Sequence, residues 1–207
     1  MSDAPDRKRH WEQVYRDKAE DTVSWFQVHP DTSLALIRGH TGAKDAVIDV
    51  GGGASRLVDH LLEDGYTDLT VLDISETALE RAGARLGTAA LKVQWLVADV
   101  TRWRAERRYR FWHDRAVFHF LTEPQERAAY IAALEAALAP GAQALIASFA
   151  LDGPERCSGL PVRRYSPASL AEELGKGFRL RESREETHLT PAARLQRFQY
   201  SLLERTG

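Results

Sequence analysis

Short apolar runs alternate along most of this chain with stretches whose apolar residues recur every three or four positions, the pattern of strands alternating with amphipathic helices. Strands are predicted over residues 46–50, 69–74, 93–98, 111–117 and 144–150, and helices over 55–64, 76–86, 124–138 and 166–175. The punctuation agrees. Ser75 and Ser166 stand where N-caps belong, Pro124 and Pro167 fall in first turns, and Gly65 and the Pro140-Gly141 pair read as stop signals. Residues 178–187 and 196–204 read as two more strands in an antiparallel edge hairpin, with His188 and Pro191 in its loop. Ahead of the first strand, Trp11, Val14 and Tyr15 give residues 7–18 a narrow apolar helical stripe. An aromatic segment with Trp25 and Phe26 follows, then a helix from Thr32 to Arg38. The alternation predicts one doubly wound α/β domain over residues 1–207, long enough for a sheet covered on both faces.

The sharpest local signal is AVIDVGGGASR, residues 46–56: an apolar run ending in Asp49, three glycines, and the start of a helix. Strand, glycine turn and helix make a seat for a nucleotide-like ligand, because glycine admits positive φ and close approach while the helix start offers free N–H groups. The dinucleotide pattern G-x-G-x-x-G fails, since counting from Gly51 puts Arg56 at its third glycine, and no Gly-Lys-Ser/Thr completes a phosphate loop. Asp73 closes the second strand 22 residues beyond Gly51, where a Rossmann-type unit places the carboxylate that accepts from both ribose hydroxyls. Asp99 closes the third. Acids at the ends of three successive strands are a stronger signal than the glycines alone.

Acid-x-Gly-x-Gly at Asp49, Gly51 and Gly53, with Ser55 where a third glycine often stands, resembles the first motif of the class I, seven-β-strand S-adenosylmethionine-dependent methyltransferases. The resemblance implies a three-layer α/β sandwich whose doubly wound, mostly parallel seven-stranded sheet has its last strand antiparallel. It implies S-adenosyl-L-methionine as cofactor, held by Asp49, Gly51, Gly52, Gly53, Asp73, Ile74, Asp99, Val100 and Asp114. Asp99 would accept from the adenine amine, and the N–H of Val100 would serve a ring nitrogen. Residues 1–40 become a lid, with Trp25 and Phe26 over the cofactor, although plain packing also explains these aromatics. The DRAVFHFL segment at Asp114 is similar to the Asp-Arg region of thiopurine-methyltransferase-type enzymes. With Asp114 and Arg115 near the carboxyl end of the fourth predicted strand and His119 just beyond it, these three become catalytic candidates. His119 would remove a proton, and Arg115 would hold an anionic substrate or pair with Asp114. An ion pair beside a packed histidine is the alternative.

Composition narrows the partners. Formal net charge is −2, so nothing global draws the chain to nucleic acid, and the arginines of RWRAERRYR, residues 102–110, read as a solvated connection. Cys157 is the single cysteine, no apolar leader follows the polar Met1–Arg9 stretch, and no run reaches membrane-spanning length, which together suggest a cytoplasmic protein. Cys157 itself reads as a bystander. The seven histidines are scattered without zinc spacing, so no metal is expected. The implied reaction is in-line displacement at a sulfonium methyl, catalysed by proximity and alignment, with a base useful only for protonated acceptors. A small-molecule acceptor is favoured, a thiol or other soft nucleophile slightly ahead. A protein-lysine methyltransferase is the alternative, supported by Trp11-x-x-x-Tyr15 and Trp25 but weakened by Asp114-Arg115-Ala116 in place of Asp-Lys-Gly. A non-catalytic cofactor-binding module is the reading from another class.

Overall fold

The computed structural model describes residues 7–207; residues 1–6, part of the polar stretch and of the expected lid, lie outside the described residues. Two helices come first, α1 (Arg7–Asp17) and α2 (Asp31–His40). The alternating region follows as β1 (Val47–Val50), α3 (Leu57–Glu63), β2 (Leu69–Asp73), α4 (Glu76–Leu86), β3 (Val93–Val97), β4 (Tyr109–Arg115), α5 (Pro124–Ala137) and β5 (Leu138–Phe149). A small hairpin of β6 (Arg156–Cys157) and β7 (Leu160–Pro161), helix α6 (Pro167–Leu174), and strands β8 (Phe178–Leu189) and β9 (Leu195–Arg205) complete the chain.

The seven-stranded sheet has the order β3-β2-β1-β4-β5-β9-β8. The first five strands are parallel, and β9 runs antiparallel to both its neighbours. Every residue of β1 and β2 is buried, so apart from Asp49, Thr70 and Asp73 these strands are apolar and do not alternate. Successive residues still serve opposite faces: Val47 and Phe111 pack with Leu34, Leu57 and Leu61 of α2 and α3, while Ile48 and Trp112 pack with Tyr130, Leu134 and Leu170 of α5 and α6. The order reverses between β1 and β4, which opens a crevice at their carboxyl ends.

Two expectations need correction. Pro140-Gly141 does not stop α5; the helix ends at Ala137 and the chain enters β5 directly. A proline cannot donate to a ladder, so this start of β5 is irregular, with a register shift against β4 between Tyr109 and Phe111 and with Gly141 at φ +80°. The side chains of Arg108 and Arg110 reach the carbonyls of Leu138 and Gly141 there, and Arg107 pairs with Asp68, so these three arginines of the basic connection are engaged within the protein. His188 lies not in a loop but in β8, opposite Gln196, where its ring meets the Ser24 carbonyl at 2.8 Å. The hairpin runs longer than its apolar pattern suggests because its pairing continues to Leu189 and Leu195.

At the end of β4, Asp114 ties sheet, turn and helix together. Its carboxylate accepts from the backbone N–H groups of Val117 (2.8 Å) and Phe118 (3.0 Å) and from the Tyr130 hydroxyl (2.6 Å), which in turn accepts from Trp112 Nε1 (2.9 Å). Burial raises the Asp114 pKa to about 6 against the pull of these donors. Tyr130→Phe strands the Trp112 N–H and removes one donor to a buried carboxylate. It should cost about 1–3 kcal/mol, read as a lower denaturation midpoint at an unchanged slope.

Candidate cofactor and acceptor site

Behind β1 the chain turns through Gly51 at φ +67° and Gly53 at φ +48°, a backbone that side chains resist. Space excludes them as well. A Cβ on Gly51 would overlap the Val117 side chain, and one on Gly52 would fall 2.6 Å from Asp49 Oδ2 and 2.7 Å from Val71 Cγ1. One on Gly53 would lie 2.5 Å from the Tyr15 hydroxyl. Ser55 Oγ then accepts from the first N–H of α3, at Leu57.

A cavity opens beside this turn at the carboxyl ends of β1, β2 and β3. Of the residues expected at the site, Gly51, Asp73, Ile74, Asp99, Val100, Trp25 and Arg115 line it. Asp49, Gly52 and Phe26 line a second, adjoining cavity behind the turn. Gly53, Asp114 and His119 line neither. Both strand-end acids are held by local turns: Asp73 accepts from the Ser75 N–H at 2.8 Å, and Asp99 from the Thr101 N–H at 2.9 Å and its hydroxyl at 2.7 Å. Burial raises the Asp73 pKa to about 7; the nearby Asp49 charge adds to this, while the Ser75 N–H opposes it.

Aromatic residues, most of them from the N-terminal segment, line the same cavity. Trp11 meets Trp25 edge-on with ring centroids 5.6 Å apart and Phe120 at 5.1 Å, and Tyr15 lies 6.3 Å from Trp25. This segment is fastened to α4, since the Glu12 carboxylate accepts from the Glu76 N–H at 2.7 Å and Arg81 donates to the Lys18 carbonyl at 2.7 Å. The Trp11, Tyr15 stripe is visible in the sequence as a helix face. Its contact with Phe120 and its place on the cavity wall are not, because they depend on packing between distant segments. The hairpin β6–β7 brings Cys157 to the same wall, where burial pushes its thiol up to about 11.

The three catalytic candidates separate in space. Arg115 reaches the cavity, but its partner is not Asp114. It donates to the Tyr200 hydroxyl (2.9 Å) and the Trp25 carbonyl (3.1 Å), approaches Glu186 at 3.5 Å, and lies over the Phe198 ring at 4.3 Å. Asp114 points into the α5 side as described. His119 is fully buried behind Phe120, wedged between that ring (4.4 Å) and Phe149 (4.9 Å), with both ring nitrogens unpartnered. Burial, helped by the Arg115 charge, lowers its pKa to about 3. The expected proton acceptor is therefore off the cavity wall, because the 118–120 turn, capped by the Asp114 carboxylate, turns position 119 inward.

Residues 47–141 match a family model described as a methyltransferase domain. Curated relatives are eEF1A lysine and N-terminal methyltransferases, among them those of Mus musculus (25% identical over 45% of this chain) and Danio rerio (30% over 37%). The match spans only 13% and 11% of those proteins' lengths. Among solved structures, one described by the conversion of a disulfide bond into a thioacetal group during echinomycin biosynthesis is 23% identical, covers 96% of this chain and 93% of its own, and superposes with a TM-score of 0.74. The Burkholderia thailandensis 1,6-didemethyltoxoflavin-N1-methyltransferase, with S-adenosylhomocysteine bound, is 22% identical with a TM-score of 0.70 over 97% of this chain and 84% of its own. Likeness at these identities speaks to the fold. Together with the strand order, it gives the chain the fold of the class I S-adenosylmethionine-dependent methyltransferases, within which residues 47–141 match the methyltransferase domain.

Proposed function

We propose that this enzyme methylates a small, largely apolar molecule at a soft nucleophile such as a thiol. The observation that carries the reading is the aromatic part of the cavity lining, Trp11, Trp25 and Phe120, with Cys157 beside them and Arg115 already engaged by Tyr200, Trp25 and Glu186. A protonated amine would find no free carboxylate on that wall, whereas a flat or thiol-bearing molecule would find matching aromatic surface.

The residues fit the cofactor. In this reading Asp73 accepts from the two ribose hydroxyls, Asp99 from the adenine amine, and the N–H of Val100 serves an adenine nitrogen, with Ile74 against the ring. The crowded turn at Gly51 and Gly52 leaves bare backbone beside the ligand, and Asp49 supports it from behind. Trp25 closes the top, and Phe26 backs the adjoining cavity. When bound, S-adenosylmethionine supplies an activated sulfonium methyl. The protein's share is to exclude water with the aromatic wall, align the acceptor and keep it at bonding distance. His119 takes no part as a base here, and Asp114 and Arg115 act by holding the walls. Methylation of a protein lysine is the second reading, favoured by the local similarity to the eEF1A lysine and N-terminal methyltransferases.

Calorimetric titration should find micromolar binding of S-adenosylmethionine and of its demethylated product, weakened about a hundredfold or more by Asp73→Ala through loss of two charge-assisted hydrogen bonds. No binding by the wild-type chain would remove the functional reading. Because ribose hydroxyls need an ionised acceptor and the free Asp73 pKa stands at about 7, affinity should fall as pH drops, approaching about tenfold per unit below that value. Asp73→Asn should flatten this dependence. Transfer of labelled methyl to thiols and heteroaromatic compounds, and not to protein lysines in extracts, is the expected outcome of an acceptor screen; the reverse would establish the lysine reading.

A further inference from the structure

The second cavity has a polar floor that cofactor binding as described leaves unexplained. Asp49 on β1 and His113 on β4 are direct partners across adjacent parallel strands, so both side chains face the α2 side of the sheet. His113 Nδ1 lies 2.7 Å from Asp49 Oδ1, and Nε2 lies 2.8 Å from Ser33 Oγ in the first turn of α2. Exposure is 5% for Asp49, 3% for His113 and zero for Ser33. A carboxylate only accepts, so Nδ1 carries the hydrogen toward Asp49, and the Ser33 hydroxyl closes the far side of the ring.

Three polar groups from three elements are thus fully buried among Leu34, Leu57 and Val47, where apolar side chains would pack at least as well. What the chain of hydrogen bonds holds is the Asp49 carboxylate, whose Oδ2 stands 2.6 Å from the place a Cβ on Gly52 would take. That carboxylate is a wall of the glycine turn. Tyr15, Trp25, Gly51 and Arg115 line both cavities, so the turn's position also sets the partition between them.

We propose that His113 is a positioning residue for the cofactor: braced by Ser33, it fixes the Asp49 carboxylate against the Gly51–Gly53 turn and acts on the ligand only through that acid. The inference rests on the cofactor seat proposed above. Two variants of similar polarity divide the ring's bonds. His113→Asn keeps a donor near the Nδ1 position, facing Asp49; His113→Gln keeps a polar atom near Nε2, facing Ser33, and loses the donor to Asp49. Calorimetry with S-adenosylmethionine and S-adenosylhomocysteine, beside thermal unfolding of each variant, gives the test. The expected result is near wild-type affinity for His113→Asn and binding at least about tenfold weaker for His113→Gln, at matched melting temperatures. Ser33→Ala, which keeps the Asp49 contact, should lose less than His113→Gln. Equal affinities in the Asn and Gln variants, or affinities that merely follow melting temperature across all three, would overturn the proposal. Absence of binding by the wild-type protein would instead overturn the cofactor seat itself.

Discussion

The site depends on how tightly the turn after β1 is packed. Val117 presses on Gly51, Asp49 and Val71 on Gly52, and Tyr15 on Gly53, so all three positions are held to glycine by neighbours as well as by backbone angle where φ is positive. These neighbours come from the segment after β4, from β1 and β2, and from the N-terminal helix. The turn is therefore the place where the sheet, the N-terminal segment and the β4 extension meet, and a displacement of any one of them would be felt there.

Three buried carboxylates surround this junction and are satisfied in different ways. Asp49 is bonded to a histidine, Asp73 caps the approach to α4, and Asp114 gathers two backbone donors and a phenol. For Asp73 and Asp114 burial outweighs the donors and raises the pKa. The difference is one of position. Asp114 turns into the core and serves the fold, whereas Asp73 remains on a cavity wall.

The N-terminal segment is built in and not merely draped over the sheet. Glu12 supplies acceptors to the start of α4, Arg85 bridges Asp59 and Glu20, and Arg56 also reaches Glu20, so residues 12–20 are pinned to α3 and α4 by partly buried charges. Arg115 extends the same logic to the other edge of the sheet by joining Trp25 to β8 and β9 through Glu186 and Tyr200. The aromatic wall thereby keeps its shape while contributing little charge.

The sequence by itself determined the order of elements, the doubly wound class, the glycine turn, the strand-end acids and the Ser75 and Ser166 caps, because each is a local matter of period, backbone freedom or capping chemistry. Tertiary structure alone decided which side chains face the cavity. Position 119 turned inward in the 118–120 turn that Asp114 caps, Arg115 found its partners about 70 and 85 residues away on β8 and β9, and Pro140 was accommodated inside the register shift between Leu138 and Gln143, where no ladder bond calls on its nitrogen. Likewise His113 met Asp49 only through strand register, and Trp11 met Phe120 only through packing of the N-terminal segment. Local pattern carries the direction of a side chain relative to its own element. Its partners are set by which elements lie beside it, and that information enters only when distant segments pack.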